Sequence, residues 1–591
     1  MCQTFDIPTF AQLKKAVKKY DTDSGCFKVQ SSIRLALIGD SATQLLATAI
    51  RGCALLRGIE IQMFEADYNQ VERQTLDTQS ELYRFEPDFV VIFQSSQRLV
   101  EHHASLDESN RMKMAQQRMD FVKTVCQDTP LRDKKIIYLN YTETDDAVFG
   151  NYANKVQSSL TWQLRKLNMM LMEFAAVQTN LMVCDLDAIQ SKIGRDRMFA
   201  PNLFVSTDMV LSIDALPIVA SRIVDIVCAV VGKVYKCLVL DLDNTLWGGV
   251  VGDDGTYGIQ IGHGLGIGKA FTDFQLWVKK LKQRGIIICV VSKNNEDIAK
   301  EPFEKHPDMV LRLSDIAVFI ANWENKVDNI RMVKKILNIG FDSMVFIDDN
   351  PFEREMVRKG IPEIRVPEMP ADPALYSEYL SSLNLFETAA YSSEDALRTR
   401  QYQQEAERNA VMKTFKDEND FLKSLDMKAN VEGLTEFNIP RVAQLSQRSN
   451  QFNLRTVRYT ESDLKKMNED KNVLTFTFTL DDRFGDNGLV SVVILRNTSP
   501  GVLFIDTWIM SCRVLKRGME HFVMNKIVEE ARKLGFKKID GEYIPTPKNK
   551  LVEGLLPSMG FEFVAGADGN SKLYTLDLEG YDRKRTFIDI K

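Results

Sequence analysis

The chain has 591 residues, of which 45% are hydrophobic and 26% are charged, and its formal net charge is -6. This composition is typical of a globular protein with several domains, because one domain takes about 150 residues. The acidic balance argues against nucleic acid as a partner, and no apolar stretch is long enough to span a bilayer. Nine cysteines without a CxxC pair exclude a disulfide framework or zinc site, and with no signal pattern they predict a cytoplasmic protein.

Residues 1–232 are predicted to form a separate α/β domain. An apolar strand over residues 33–38 ends in Gly39-Asp40-Ser41, and this triplet resembles the first block of SGNH-type esterases, whose serine is a nucleophile. Such a serine needs a nearby base, most often histidine, but no histidine lies near residues 208–214, where that family carries its Asp and His. We therefore expect a degenerate SGNH-like domain with Ser41 as a turn or helix-start residue.

Three apolar strands within residues 233–375 end in polar side chains. The strand over residues 238–240 is followed by Asp241 and Asp243, and the other two end in Ser292-Lys293 and Asp348-Asp349. Carboxyl ends of parallel strands meet at one edge of a sheet, where ligands bind. Two carboxylates so close together favour a bound cation, and Mg²⁺ commonly takes one or two carboxylates plus phosphate oxygens. An amphipathic helix between the last two strands places Lys326 in its first turn.

The gaps between these strands are short. The segment from residue 247 to 268 is a glycine-rich loop, and residues 292–326 have room for one helix and one short strand. Neither gap holds a lid domain, so we expect an open, capless site suited to a large substrate or to a site closed by another domain.

The order DxDxT, Ser, Lys, DD resembles that of the haloacid dehalogenase-like (HAD-like) phosphotransferases. The resemblance implies that Asp241 is the nucleophile that forms an aspartyl phosphate and that Asp243 is the general acid and base. It implies that Ser292 and Lys326 hold the phosphoryl oxygens. The further substrate-binding candidates, which stand in the same motifs, are Thr245, Lys293 and Asn294.

The same resemblance implies a Mg²⁺ site. Its ligands would be Asp241, Asp348 and the backbone carbonyl of Asp243, with Asp349 as the alternative to Asp348.

Residues 376–429 are predicted to be a charged helical linker, and residues 430–591 an α+β domain. A strand ending near residue 510 runs into Arg513-Val514-Leu515-Lys516-Arg517-Gly518 and then a helix. This resembles a GNAT-type acyltransferase, whose loop pattern is Arg/Gln-x-x-Gly-x-Gly/Ala and binds pyrophosphate at the helix start. Arg513 and Gly518 match, Arg517 adds a cation, and Lys516 replaces the first glycine. The loop is therefore either an acyl-CoA or phosphopantetheine site or a purely structural turn.

Several longer motifs extend the resemblance. The stretches LDLDNTLWGGVVGDDG, VVSKNN, ANWENK, FIDDNPFEREMVR and SQRSNQFNLRTVRYT, followed by the GNAT-like tail, are similar to those of the FkbH-like proteins among the subfamily IIIC phosphatases. That family takes a glyceryl unit from 1,3-bisphosphoglycerate, releases phosphate and loads the unit as a thioester on an acyl carrier protein. The resemblance thus implies an acyl-phosphate substrate, a carrier-protein partner and a role in polyketide or surface-polysaccharide precursor supply.

Three cysteines are candidates for carrying a glyceryl thioester. Cys237 and Cys289 lie in predicted strands and are expected in the core. Cys512 is the favoured candidate, because Arg513, Lys516 and a helix start would lower the pKa of its thiol. A plain Mg²⁺-dependent phosphatase acting on a phosphoprotein or phosphosugar, with the end domains as binding modules, is the alternative function.

Overall fold

The computed structural model describes residues 7–391, 398–412, 414–449, 451–511, 514–566 and 571–591. The chain forms two compact units, Met1–Val230 and Val231–Lys591. The further predicted division of the second unit, at residues 375 and 429, stays a prediction. Cys512, Arg513 and the first residues of the predicted linker helix at 392 lie outside the described residues.

The first unit is an α/β domain, as predicted. Its strands are β1 (Ser31–Gly39), β2 (Ile59–Glu65), β3 (Phe89–Phe93), β4 (Lys135–Leu139) and β5 (Leu181–Cys184). Its helices are α1 (Phe10–Thr22), α2 (Gln44–Leu56), α3 (Val71–Leu76), α4 (Glu81–Phe85), α5 (Ser96–Ser105), α6 (Glu108–Arg111), α7 (Met114–Gln127), α8 (Leu160–Val177), α9 (Leu186–Ile193), α10 (Arg195–Met198), α11 (Pro201–Thr207) and α12 (Leu216–Val230). All strand pairs are parallel and the order is β2-β1-β3-β4-β5.

The second unit begins with a smaller parallel sheet. Its strands are β6 (Cys237–Leu240), β7 (Ile287–Ser292), β8 (Val318–Ala321) and β9 (Met344–Ile347), in the order β8-β7-β6-β9. The helices around it are α13 (Val251–Asp254), α14 (Ile267–Gln283), α15 (Glu296–Lys305), α16 (Lys326–Leu337) and α17 (Pro351–Gly360). The gap after β6 holds only α13 and α14, and the gap from β7 to α16 holds only α15, β8 and a short 3₁₀ turn, so neither has room for a separate lid domain and the sheet is capless.

Strand β6 is apolar throughout because helices cover both faces of the sheet. Leu238 and Leu240 pack in one core cluster with Phe271 and Phe274 of α14. The alternate residues Cys237 and Val239 pack in the other cluster, with the apolar side of α16. The polar residue that follows this buried strand is thereby fixed at the sheet edge.

Three helices follow the small sheet: α18 (Tyr376–Ser382), α19 (Arg398–Met412) and α20 (Glu418–Ser424). Helix α19 contacts α16 and β7 on one side. It bridges to the larger sheet through Arg408, which is ion-paired with Asp482 at 2.7 Å.

The rest of the second unit is an α+β domain around an eight-stranded sheet. Its strands are β10 (Met427–Glu432), β11 (Val473–Asp482), β12 (Gly485–Ser499), β13 (Val502–Met510), β14 (Lys538–Tyr543), β15 (Glu562–Gly566), β16 (Lys572–Asp577) and β17 (Ile588–Ile590). Its helices are α21 (Ile439–Arg448), α22 (Glu461–Glu469), α23 (Met519–Lys533) and α24 (Leu555–Met559). The order is β15-β16-β14-β13-β12-β11-β10-β17, with β13 and β14 a parallel pair between antiparallel neighbours. This is the predicted GNAT-like sheet.

None of the helices among the described residues is long and apolar enough to cross a membrane.

The hairpin between β11 and β12 differs from its prediction. The turn residues Asp, Gly and Asn between positions 481 and 488 predict a long turn, but the strands continue to Asp482 and resume at Gly485. Asp481 pairs with Asp486 across the ladder. The predicted turn was too long, because Asp481 and Asp486 pair with each other between strands β11 and β12.

Candidate active site

Polar residues from three strands meet at the carboxyl edge of the small sheet. Asp241 follows β6, Ser292 ends β7, and Asp348 follows β9. The backbone N–H of Asp241 donates to the carbonyl of Ile347 at 3.0 Å. This bond continues the β6–β9 pairing and holds the two aspartates side by side.

The site contains a cluster of three carboxylates, Asp241, Asp348 and Asp349. One oxygen from each lies within 4.8 Å of the others. Lys326, the first residue of α16, is 3% exposed, and its Nζ lies 2.9 Å from Asp241 and is also ion-paired with Asp348. Asn325 fixes the helix start, since its side chain accepts from the N–H of Asp328 at 2.9 Å.

The cluster is electrostatically strained. Burial and the neighbouring Asp241 carboxylate raise the pKa of Asp348 to about 7, against the stabilising charge of Lys326. Burial and Asp241 also raise the pKa of Asp349. Burial opposes the charge of Lys326, but Asp241 and Asp348 outweigh it and raise its pKa. Three acids facing one lysine thus leave a surplus of negative charge, and their oxygens are the donors that a hard divalent cation prefers.

Asp243 is held apart from this cluster. Its carboxylate accepts from Trp247 Nε1 at 2.9 Å, from the N–H of Val251 at 3.0 Å and from Asn294 Nδ2 at 3.0 Å. Burial is the main cause that raises the pKa of Asp243. A fixed carboxyl group with a raised pKa suits proton transfer. Its side chain is not part of the three-carboxylate group, which leaves its backbone carbonyl as the predicted metal ligand.

The other predicted site residues divide into two groups. Ser292 is 2% exposed at the sheet edge, and Thr245 Oγ1 accepts from the N–H of Asp349 at 3.1 Å. Asn294 donates a hydrogen bond to the Asp243 carboxylate, as described above. Lys293 instead points to Glu353, whose Oε1 lies 2.6 Å from its Nζ. The structure therefore brings Ser292, Thr245 and Asn294 to the site and ties Lys293 to the start of α17.

Arg354 is a residue of this site that the sequence did not reveal. Its Nη1 donates to the backbone carbonyls of Asp348 at 2.8 Å and Asp349 at 2.7 Å, and its Nη2 lies 2.9 Å from Glu368. Arg354 is 5% exposed. The one available signal was a basic residue near a helix start, where acidic residues are favoured.

The predicted cofactor loop ahead of α23 has a different arrangement. Arg517 is 5% exposed, is ion-paired with Asp482 at 3.0 Å and with Glu405, and so is held inside the fold. Lys516 has φ 64° and Gly518 has φ 72°, a left-handed backbone that glycine adopts easily and lysine does not. The structure thus brings Gly518 to the helix start but turns Arg517 away from any ligand there.

Two thioester candidates lie in the core, as expected. Cys237 and Cys289 are fully buried on neighbouring strands, with their sulfur atoms 3.7 Å apart. Burial, with Cys289 as a second cause, raises the pKa of the Cys237 thiol well above its ordinary value. Neither thiol is placed to react with a substrate at the sheet edge.

Comparison with known proteins places the chain in a family. Residues 34–228 match the family model described as FkbH, N-terminal domain. A crystal structure of the N-terminal part of BF1531 from Bacteroides fragilis, described as containing a phosphatase domain complexed with Mg, is 56% identical. It covers 65% of this chain and 100% of its own, with a TM-score of 0.62. No protein with a curated description matches the chain.

Distant similarity extends to acetyltransferases. The ribosomal-protein-S18-alanine N-acetyltransferase from Escherichia coli is 14% identical over 25% of this chain and 94% of its own, with a TM-score of 0.21. A spermidine N-acetyltransferase from Vibrio cholerae, in complex with CoA and spermine, is 14% identical over 26% of this chain and 98% of its own, with a TM-score of 0.21. At this level of similarity, neither indicates what the chain binds. The match to BF1531, at 56% identity, is much stronger. The chain belongs to the FkbH-like family as an enzyme with a HAD-like phosphatase domain.

Proposed function

We propose that this protein is a Mg²⁺-dependent phosphatase and glyceryltransferase. It takes an acyl phosphate such as 1,3-bisphosphoglycerate, releases phosphate and loads the glyceryl group on the thiol of an acyl carrier protein. The observation that supports this most is the three-carboxylate cluster with Lys326 at a capless sheet edge, beside the separately held Asp243.

The carboxylate cluster fits Mg²⁺. Asp241, Asp348 and Asp349 offer three oxygens within the span of one ion, and the related BF1531 fragment is described as complexed with Mg. The ion would supply positive charge against the phosphoryl oxygens.

Phosphate release uses the two aspartates of the first motif. Asp241 attacks phosphorus, the bond to the leaving oxygen breaks, and Asp243 gives that oxygen a proton. Asp243 then removes a proton from the water that hydrolyses the aspartyl phosphate. Ser292 and Lys326 hold the phosphoryl oxygens during both steps.

Thioester formation is a separate step. If Asp241 attacked the phosphorus of the acyl phosphate, the acyl group would leave as a carboxylate and its activation would be lost. A thioester forms only when the carrier thiolate attacks the acyl carbon and phosphate leaves from it. We therefore assign Asp241 to the phosphate ester at the other end of the substrate, so that two phosphates are released for each glyceryl group loaded.

A cavity in the second unit supports a binding place for the phosphopantetheine arm of the carrier protein. It has a volume of about 340 Å³ and is lined by Lys236, Arg441, Phe452, Met510 and Lys548, among others. This volume is within the range of ligand sites. The lining combines apolar groups with Lys236, Arg441 and Lys548, and it also includes Asp342, which is ion-paired with Lys548. The cavity lies at the amino end of β6, whereas Asp241 lies at its carboxyl end. Five residue steps of roughly 3.3 Å separate Lys236 from Asp241, or about 17 Å.

The rim of the phosphatase site favours a macromolecular partner. Trp323, before α16, is 76% exposed, and Phe352, at the start of α17, is 66% exposed. Exposed aromatic side chains beside a functional site are common at protein-binding surfaces.

The burial of Arg517 favours a second candidate function. With that cation held by Asp482 and Glu405, the loop before α23 lacks one of its predicted phosphate ligands. A plain phosphatase, acting on a phosphoprotein or phosphosugar with the end domains as binding modules, needs no such ligand.

Intact-protein mass spectrometry distinguishes the two functions. The enzyme is mixed with Mg²⁺, enzymatically generated 1,3-bisphosphoglycerate and a carrier protein bearing phosphopantetheine, and phosphate is counted in parallel. We expect a hydroxylamine-labile glyceryl adduct on the carrier and two phosphates per adduct. Asp241→Asn is expected to give an adduct heavier by one phosphate group, with one phosphate released.

The control variant is Asp273→Asn, which changes an exposed carboxylate on α14 and is expected to behave as the parent. Phosphate release without any adduct would establish the plain phosphatase. Unchanged phosphate release in Asp241→Asn would remove Asp241 from the mechanism.

A further inference from the structure

The cavity of about 340 Å³ opens to solvent between two surface segments of the second unit. Of its lining residues, Asn338 and Asp342 lie between α16 and β9, Pro547 follows β14, and all three are exposed. The lining residues Phe452 and Met510 are buried. One surface segment thus belongs to the phosphatase sheet and the other to the GNAT-like sheet, so a partner bound at the opening would contact both.

Lysine side chains surround this opening. Lys334 and Lys335 lie in the last turn of α16, next to the first lining segment. The ammonium group of Lys334 lies 4.2 Å from the ring centre of Phe341, which stands between two lining residues. Lys548 lines the cavity, and Lys550 follows two residues later. We call these four lysines the cationic lip.

The acidic side chains beside the cationic lip are already paired. Asp342 is ion-paired with Lys548, and this pair joins the two segments across the opening. Glu553 is ion-paired with Lys572 at 2.9 Å. Lys550 acts on Glu553 electrostatically without forming an ion pair with it.

Three lysines of the cationic lip have no acidic partner. Among the residues that the structure describes, none of the carboxylates is ion-paired with Lys334, Lys335 or Lys550, and all three lysines are exposed. The chain as a whole has a formal net charge of -6, so this local excess of positive charge is opposite in sign to the charge of the molecule. Such a patch draws an acidic partner to one place on the surface.

Exposed apolar side chains flank the lysines. Met332 is 49% exposed and lies three residues before Lys335 on α16, which makes the two neighbours on the helix surface. Leu551 is 58% exposed and follows Lys550. A surface that mixes charge with apolar contact is suited to a protein partner, whereas the backbone of a nucleic acid would leave the apolar groups without contact.

The loop after β14, which carries two of the lysines, is held in place by Asn549. The side chain of Asn549 is 0% exposed and donates to the carbonyls of Asn453 and Ile544, at 2.9 Å each. It also accepts from the N–H of Thr546 at 2.7 Å. The loop is therefore formed before a partner arrives, and a preformed surface loses little conformational freedom on binding.

We propose that the cationic lip is the docking surface for the carrier protein and binds an acidic face of the carrier beside the serine that bears its arm. The inference rests on the proposed function, in which the cavity takes the arm. Docking at the lip places the attachment point of the arm at the opening of the cavity. The lip acts mainly on the rate of association, because charges at the rim of an interface steer the encounter more than they add affinity.

The test is the association of the full chain with the carrier protein of the loading assay, in a form whose serine bears no arm. Neither the cavity nor the chemistry then contributes, and stopped-flow fluorescence of a labelled carrier gives the association rate constant. We expect this constant to fall about tenfold between about 0.05 M and about 0.5 M salt. The combined changes Lys335→Glu and Lys550→Glu are expected to lower it about tenfold or more at the lower salt and to remove most of the salt dependence.

The matched control is Lys280→Glu, which reverses the charge of an exposed lysine in the last turn of α14. That helix packs in the core cluster on the opposite side of the small sheet from α16, so this variant is expected to associate as the parent does. A carrier in which lysine replaces an acidic residue beside the serine is expected to recover part of the rate with Lys335→Glu. Thermal unfolding of each variant shows whether the fold is kept.

The docking surface is overturned if the parent does not bind the armless carrier, or if the folded double variant binds it as fast as the parent. Equally fast association of the parent with a single-stranded DNA oligonucleotide would also overturn it. Loading is measured separately. A carrier that docks at the lip but is never loaded would contradict the proposed function and keep the docking surface, whereas loading at the parent rate by the folded double variant would overturn the docking surface alone.

Discussion

Arg354 illustrates how a residue acts on the phosphatase site through the backbone. Its guanidinium bridges the carbonyls of Asp348 and Asp349 and is held by Glu368. The two carboxylates therefore keep their direction toward Asp241 without using their own oxygens to stay in place. Arg354 is a positioning residue, comparable to the outer-shell groups that orient metal ligands.

We predict that Arg354→Met weakens Mg²⁺ binding about 10–100-fold, the range typical for loss of an outer-shell partner. The measurement is the Mg²⁺ concentration at half-maximal phosphate release from a phosphate ester. Arg331→Met, which removes an exposed ion pair with Asp328 on α16, is the control and should leave that concentration unchanged. Equal Mg²⁺ dependence in the Arg354 variant would contradict the positioning role.

Asp40 leads to a prediction about stability and pH. Burial raises its folded pKa to about 6, above the unfolded value of about 3.9. The folded state therefore holds the proton more tightly, and the free energy of unfolding falls as pH rises from about 4 to about 6. Asp40→Asn removes this loss and should stabilise the protein at pH 7 by roughly 2–3 kcal/mol, with little effect at pH 4.

Urea unfolding at the two pH values, followed by a probe of the first unit, measures this difference. An equal effect of Asp40→Asn at both pH values would show that the folded pKa is not raised.

At the scale of elements, Asp482 joins three parts of the second unit. It ends β11, its side chain is 0% exposed, and it is ion-paired with Arg408 of α19 and Arg517 before α23. Glu405 of α19 pairs with both arginines. This network fixes the bridging helix, the hairpin and the loop ahead of α23 to one another.

Removal of Asp482 would leave two buried arginines short of negative charge. We predict that Asp482→Asn lowers the free energy of unfolding of the second unit by about 3–5 kcal/mol, as expected for a broken buried ion pair. Asp420→Asn, at an exposed ion pair on α20, should change it by less than about 1 kcal/mol. Chemical denaturation of both variants is the measurement, and a small effect at Asp482 would show that solvent compensates the two arginines.

The predicted elements differ in how far local sequence determines them. The strands ending at Asp241, Ser292 and Asp348 were predictable, because an apolar run followed by a polar residue is a local pattern. The roles of Arg354 and Arg517 were not, because the carboxylates and carbonyls that engage them come from other elements. The raised pKa of Asp40 was beyond prediction for the same reason, since burial depends on the whole domain.

At the scale of the whole chain, the phosphatase sheet and the GNAT-like sheet lie in one compact unit and share the lining of the 340 Å³ cavity. Lys236 comes from the first and Met510 from the second. The carboxylate cluster, by contrast, is built wholly from the phosphatase sheet. Phosphate release and thioester formation should therefore be separable by truncation.

We predict that a chain ending at residue 390 still releases phosphate from a phosphate ester but no longer loads the carrier protein. The related BF1531 fragment, which covers 65% of this chain, crystallised as an N-terminal part, so the shorter chain is expected to fold. Phosphate assays and intact-mass spectra of the two chains are the comparison. Carrier loading by the shorter chain would remove the C-terminal domain from the transfer step.

The distance of about 17 Å along β6 has a kinetic consequence. A substrate tethered to a carrier docked at the cavity has an effective concentration on the order of millimolar at the carboxylate cluster, whatever its concentration in bulk solution. Transfer between the two ends of the strand would then be first order, and dilution of the enzyme would slow docking while leaving the later steps unchanged. The length of the four-residue strand β6 would in this way set the distance between the two sites, and the activated acyl group would stay bound to one enzyme molecule from entry to release.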